Sequence, residues 1–258
     1  MKSIAAGENF SGFLTNDGDV FTFGDNSEGQ LGVGTTQGSL DEPQKVKCDE
    51  KISQISLGYQ HMLLLTFSGR VLAVGRNREH QLGLGQGMSQ EQSITIPMRV
   101  EAIRDVEVLK IVAGGFSAAL IQNAYTRQLL VWGQGDFGIF DKPQKLYMDD
   151  IDFTDVDITK FSNNNPFAIA LEKSGKVYSW GSNTLGQLGH GDQRVRKLPT
   201  QIQSLKRKTI TQLSIGHNFV VMLGRDVSQE EQQKKKLKRK IQKEAKEKER
   251  QARKQGKQ

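Results

Sequence analysis

The sequence predicts an all-β protein built as a radial, propeller-like array of small sheets. Three observations carry this. A frame of short apolar runs recurs every 50–56 residues, three of the units have a glycine turn at the same offset, and four of the five prolines fall on one position of the frame.

Each unit opens on an apolar residue three places before a glycine-like position. The openings are Ile4-Ala-Ala-Gly7, Ile55-Ser-Leu-Gly58, Ile111-Val-Ala-Gly114, Phe161-Ser-Asn-Asn164 and Leu213-Ser-Ile-Gly216. A second run follows, as in Met62–Thr66, Ala118–Ile121 and Phe167–Leu171. Runs this short, bounded by Gly, Asn, Asp and Ser, suit buried strands and not helices. Asp17-Gly18, Ser68-Gly69 and Ser174-Gly175 come next. Their glycines supply the positive φ of a tight hairpin, so the second and third runs pair antiparallel. The third run ends on Gly24, Gly75, Gly133 or Gly181, and a glycine-rich loop leads to the fourth. Pro43, Pro97, Pro143 and Pro199 open that fourth run, and a residue without a ladder N–H belongs at a sheet edge. A four-stranded unit cannot bury both faces alone, so the units must stack on one another. No amphipathic helix of 10–15 residues lies between strands, which excludes a parallel α/β fold.

The loops carry a resemblance. Gly24-Asp-Asn-Ser-Glu-Gly-Gln-Leu-Gly32 and Gly181-Ser-Asn-Thr-Leu-Gly-Gln-Leu-Gly189 resemble the signature of regulator-of-chromosome-condensation repeats. Gly75–Gly83 matches it too, with His80 in place of the second glycine. The resemblance covers residues 1 to about 224 and implies a β-propeller, seven-bladed in the family's usual form. The third unit departs, because Gly133-Gln-Gly-Asp-Phe-Gly-Ile-Phe140 lacks Gln-Leu-Gly and Tyr125-Thr-Arg127 replaces the turn glycine. That blade is expected to be irregular. The chain supplies four units and the first two strands of a fifth, at 213–223. An incomplete, open arc of four to five blades is expected, with the edges near Ile4 and Leu213 not paired to each other and a second chain or separately encoded half completing the ring.

Charge divides the chain in two. Residues 225–258 hold 14 Lys/Arg and 6 Asp/Glu, a net +8, while residues 1–224 hold 22 and 23, a net −1. The expected organisation is a propeller-repeat domain at 1–224 and a basic, helical or disordered tail at 225–258. Ser228-Gln-Glu-Glu231 fits a capping box, and i,i+4 Glu–Lys pairs follow. Within the tail, Lys234, Lys235, Lys236, Lys238, Arg239 and Lys240 form a cluster that resembles a nuclear import signal and favours phosphate backbones. Nucleic acid would be met through this tail only. Location in the nucleus or cytoplasm follows, with one cysteine, Cys48, fitting a reducing compartment. No apolar run is long enough for a membrane span, and the N-terminal residues do not read as a signal peptide.

Apparent catalytic motifs dissolve within the frame. Gly133-x-Gly135-x-x-Gly138 matches a dinucleotide fingerprint, but Pro143 follows where a helix is required. Asp136-Phe-Gly138 lacks the companion motifs of a kinase. The four histidines and one cysteine have no zinc-ligand spacing, so no metal, cofactor or catalytic residue is assigned. His61 falls where other units carry Phe10, Ser117, Phe167 and Phe219, which marks a packing position. Trp132 and Trp180 end third strands and read as inter-blade core. Some family members sense ultraviolet light with clustered tryptophans, and two at scaffold positions do not form such a set. Asp149, Asp150, Asp152, Asp155 and Asp157 form an acidic run, read as a solvated inter-blade loop. The expected function is a non-catalytic protein-interaction scaffold, acting with a small GTPase or chromatin. The alternative, implied by the family resemblance, is a guanine-nucleotide exchange factor for a Ran-like GTPase.

Overall fold

The computed structural model describes residues 1–85, 93–122, 125–146, 151–159 and 166–227. It is an all-β arc of four four-stranded antiparallel blades followed by a two-stranded half-blade. Blade 1 comprises β1 (Ser3–Ala6), β2 (Phe10–Leu14), β3 (Val20–Asp25) and β4 (Ser39–Lys45). Blade 2 comprises β5 (Ile52–Leu57), β6 (His61–Thr66), β7 (Val71–Arg76) and β8 (Ser93–Arg99). Blade 3 comprises β9 (Glu107–Ala113), β10 (Ser117–Gln122), β11 (Arg127–Gly135) and β12 (Gly138–Lys145). Blade 4 comprises β13 (Phe153–Ile158), β14 (Phe167–Glu172), β15 (Val177–Gly181) and β16 (Arg196–Gln201). The half-blade comprises β17 (Lys208–Ile215) and β18 (Val220–Asp226).

The meander order and the second-to-third-strand hairpins are those the glycine turns dictate, with Gly18, Gly69 and Gly175 all at φ between +82° and +88°. The prolines lie on edge strands, as a missing donor requires, but inside them and not at their starts. Pro43 sits opposite a register shift between Thr22 and Gly24, and Pro97 and Pro199 sit beside the corresponding shifts. A bulge frees the position from the ladder and lets the strand begin before the proline.

One backbone bond recurs in every unit and fixes their true alignment. The N–H of Gly7, Gly58, Gly114, Thr159 and Gly216 donates to the carbonyl of Phe10, His61, Phe116, Phe167 and Phe219, at 2.8–3.0 Å. Two expectations are corrected by it. Phe116, not Ser117, occupies the His61 position of blade 3, because the Gly114-Gly115 turn is one residue shorter. Blade 4 opens on Val156, not Phe161, with Thr159 standing where the other units have glycine. The acidic run is therefore only partly a loop: Asp152 precedes β13 in irregular chain. Asp155 and Asp157 lie in β13, alternating with buried Val156 and Ile158. Asp149 and Asp150 lie outside the described residues.

Blade 3 is a complete four-stranded sheet, so its irregularity is confined to its connections. Its glycine-rich loop is reduced to a tight turn, with Gly135 paired to Gly138 and Asp136-Phe137 between them. That hairpin leaves no helix N-terminus after the Gly133–Gly138 fingerprint.

The core is not central but lies in the seams. Three apolar clusters fill the interfaces between blades 1 and 2, 2 and 3, and 3 and 4, and a smaller one lies between blade 4 and the half-blade. Trp132 and Trp180 are fully buried in two different seams, as their scaffold positions predict. No ladder joins β1 to β17 or β18 among the described residues, so the arc is open.

Candidate protein-interaction surface

The Asn and Gln side chains of the signature loops are used within the loops themselves. Asn26, Asn77 and Asn183 each accept, through Oδ1, the N–H of Leu31, Leu82 and Leu188, at 3.0–3.2 Å. Gln30, Gln81 and Gln187 accept, through Oε1, the N–H two residues earlier, at 2.9–3.0 Å. The Asn and Gln of the motif thus brace the loop's own backbone, and the leucine plugs a seam. His80, in the left-handed region at φ 58°, stands where Gly29 and Gly186 adopt φ 71° and 77°. In blade 4, Arg196 makes a bidentate pair with Asp192 at 2.9 and 3.0 Å, which holds that carboxyl well below the usual carboxylate range.

The seams carry polar bonds as well as apolar packing. Ser117 Oγ donates to the Gln81 carbonyl at 2.7 Å. Its lone pair therefore receives Nε2–H of His61, also at 2.7 Å. Nδ1 of His61 is then the bare nitrogen, buried with no partner. Burial pushes this imidazole down to about 3, so it is neutral. The packing reading of His61 holds for its burial but misses this bond across the seam.

On the inner strands, Ser56 Oγ accepts the N–H of Ala113 at 2.9 Å, and Asp157 Oδ2, at the matching position of blade 4, accepts that of Ile215 at 3.0 Å. Asp155 pairs with Lys110 of the preceding blade, and Asp152 Oδ1 accepts the N–H of Arg127 at 3.1 Å. These aspartates are seam fasteners. No group of three His, Cys, Asp or Glu that could hold a metal occurs among the described residues.

An exposed apolar face lies at each end of the arc. In blades 2 and 3 the opening residues Ile55 and Ile111 are buried against the preceding blade, whereas Ile4 is 76% exposed. Beside it, Met1, Ala6, Phe13, Phe23 and Pro43 line an apolar groove of about 640 Å³. At the other end the side chains facing away from blade 4 are Phe219, Val221 and Leu223, at 60%, 60% and 61% exposure. Their counterparts in blade 4, Phe167, Ile169 and Leu171, are buried. Both ends are halves of the interface that the chain forms internally between successive blades. Lys234, Lys235, Lys236, Lys238, Arg239 and Lys240 lie outside the described residues.

A fold of stacked four-stranded blades with Asn/Gln-braced glycine loops defines a β-propeller repeat protein. The chain belongs to the regulator of chromosome condensation (RCC1) repeat family, whose model matches residues 17–65, 68–121 and 174–223, with a second RCC1 repeat model matching 1–30 and 52–81. The chain is 33% identical over 226 residues to the mitochondrial RCC1 domain-containing protein RUG3 of Arabidopsis thaliana, covering 84% of this chain and 50% of that protein. It is 28% identical over 231 residues to the ultraviolet-B receptor UVR8 of the same plant, covering 88% and 51%. The human E3 ubiquitin-protein ligase HERC2 is 27% identical over 226 residues, covering 83% of this chain and 4% of that protein. Among solved structures, Prp20p of Saccharomyces cerevisiae superposes with a TM-score of 0.75 at 22% identity, covering 93% of this chain and 59% of that one. Human WBSCR16 superposes at 0.74 and 20% identity, covering 87% and 57%. The chain spans about half the length of RUG3 and UVR8, and the structural likeness is one of fold.

Proposed function

We propose that the protein is a non-catalytic interaction scaffold whose partner is a protein engaged at the open ends of the arc. The observation that carries this is the pair of exposed apolar end faces, Ile4 with its groove and Phe219-Val221-Leu223, whose counterparts in the seams between complete blades are buried. The organisation follows the charge division: propeller repeats at 1–224 as the binding body, and the basic tail at 225–258 as an address. Lys234–Lys236 and Lys238–Lys240 would be read by the nuclear import machinery or would meet phosphate. The polar groups in the seams hold blades together, so they support a scaffold and not a reaction centre.

A second reading is a guanine-nucleotide exchange factor for a Ran-like small GTPase. It is favoured by the shared fold with Prp20p, a protein described by its binding to Gsp1p and histones. Exchange requires a shaped surface and no bound cofactor, so fold alone does not separate the two. The test is affinity capture with the full chain, scored for a small GTPase, together with release of labelled GDP from Ran. Capture without accelerated release supports the scaffold. Acceleration of about a hundredfold at micromolar protein would replace it with the exchange reading.

A further inference from the structure

We propose that the free edge of β18 receives an extended segment of a partner protein, which adds as the missing third strand of the half-blade with a glycine opposite Phe219. This rests on the scaffold reading and specifies the chemistry of its partner.

The occupant is defined by three internal copies of the same pairing. In blade 1, Phe10, Gly12 and Leu14 face Gly24, Thr22 and Val20. In blade 2, His61, Leu63 and Leu65 face Gly75, Ala73 and Val71. In blade 4, Phe167, Ile169 and Leu171 face Gly181, Ser179 and Val177. The third strand is thus Val, then a small residue, then Gly, at alternate positions. The glycine is a requirement of geometry. At Gly24, Gly75 and Gly181 the backbone adopts φ near +100°, and an added Cβ would lie 2.4–2.6 Å from the carbonyl oxygen preceding the second strand. The next N–H, of Asp25, Arg76 or Ser182, donates to that same carbonyl.

β18 presents the matching second strand. Phe219, Val221 and Leu223 stand at the three positions, exposed, and β18 pairs with β17 alone among the described residues. An unpaired strand with an apolar face is a template for strand addition, where main-chain bonds give affinity and alternate side chains give selectivity.

Residues 228–258 of this sequence do not carry the occupant's pattern. After Val227 its next glycine is Gly256, with Lys254 and Ala252 where the pattern has a small residue and valine. In a second copy β3, β7 and β15 are already paired within their own blades. The proposed occupant is a segment of a partner polypeptide with an unpaired Val-x-small-x-Gly strand.

The test is fluorescence anisotropy of a labelled peptide of residues 176–182, Lys-Val-Tyr-Ser-Trp-Gly-Ser, titrated with the full chain. Saturable binding is expected, weakened tenfold or more by Gly181→Ala in the peptide. Val221→Lys in the chain, at an exposed position that leaves melting unchanged, should weaken it similarly. No saturation at millimolar protein, or equal binding of the Gly and Ala peptides, would overturn the proposal. So would binding that appears only once residues 228–258 are removed, since the edge would then belong to the tail. Peptide failure beside continued capture of a protein by the full chain would overturn strand addition alone and leave the scaffold reading intact.

Discussion

Ile4 and Ile55 hold the same place in consecutive blades, yet Ile55 is 7% exposed and Ile4 is 76% exposed. Each side chain points at the blade before its own. For Ile55 that blade is blade 1, and the pair of faces encloses an apolar seam. Among the described residues no such blade packs on Ile4, and the same face borders a groove. The contrast recurs at the other end between Ile169, buried, and Val221, exposed. Repetition thus tells what each end lacks, because the chain contains the completed version of each interface.

The seam histidine gives a pH prediction. His61 is buried neutral, its value lowered by burial from 6.5 to about 3. The unfolded chain therefore takes up a proton that the folded one refuses. This contribution to stability is complete above about pH 6.5 and is lost as pH falls toward 3, at about 1.4 kcal/mol per unit. Urea unfolding at pH 7 and pH 5 should differ by about 2 kcal/mol from this source. His61→Phe should fold, since Phe fills the same place in blades 1 and 4, and should lose that difference. A variant with the wild-type pH dependence would show that another group is responsible.

The glycine that ends a third strand should be irreplaceable. At Gly75 the backbone has φ 109° and an added Cβ would lie 2.5 Å from the Gln60 carbonyl oxygen. Gly75→Ala is expected to cost about 3 kcal/mol or to prevent folding, through strain and the loss of the Arg76-to-Gln60 bond. His80→Gly should act oppositely, raising stability by about 0.5 kcal/mol, because a left-handed position is returned to the residue that suits it. Thermal melting of both variants checks the pair.

Asp157 fastens the half-blade to blade 4 through the Ile215 N–H. Asp157→Ala should leave that donor without its bond and cost about 1–3 kcal/mol. Hydrogen exchange should report the change at β17 and β18 before blades 1 and 2. Uniform acceleration across the arc would mean that the bond has no local role.

For the tail, replacing Lys234, Lys235, Lys236, Lys238, Arg239 and Lys240 together by Gln should abolish nuclear accumulation of a fluorescent fusion while leaving the melting transition in place. Unchanged location would dispose of the import role.

Much of the architecture was legible because its signals are local. A turn glycine at positive φ, a proline on an edge strand and an Asn/Gln-braced loop each act within a few residues, so they survive divergence between repeats. The alignment of blades 3 and 4 was not legible for the opposite reason. Gly114-Gly115 shortens a turn by one residue and shifts Phe116 into the slot assigned to Ser117, which no pattern of apolar residues reveals. Thr159 lacks the marker glycine, so the opening of blade 4 was sought five residues too late. The alternation of Phe153, Val156 and Ile158 with Asp155 and Asp157 held the strand signal, but the charges masked it. The Ser117–His61 bond depends on two blades meeting, and nothing in either segment alone encodes it.

The openness of the arc, with Ile4 on a free end face, can be read from paired substitutions: urea unfolding of Ile4→Ala and of Ile55→Ala in the isolated full chain. Ile55→Ala should cost about 2–4 kcal/mol, the value of a large core truncation. Ile4→Ala should stay within about 0.5 kcal/mol of the parent, as exposed positions do. Equal losses at the two positions would contradict the account, because Ile4 would then be buried in a closed ring.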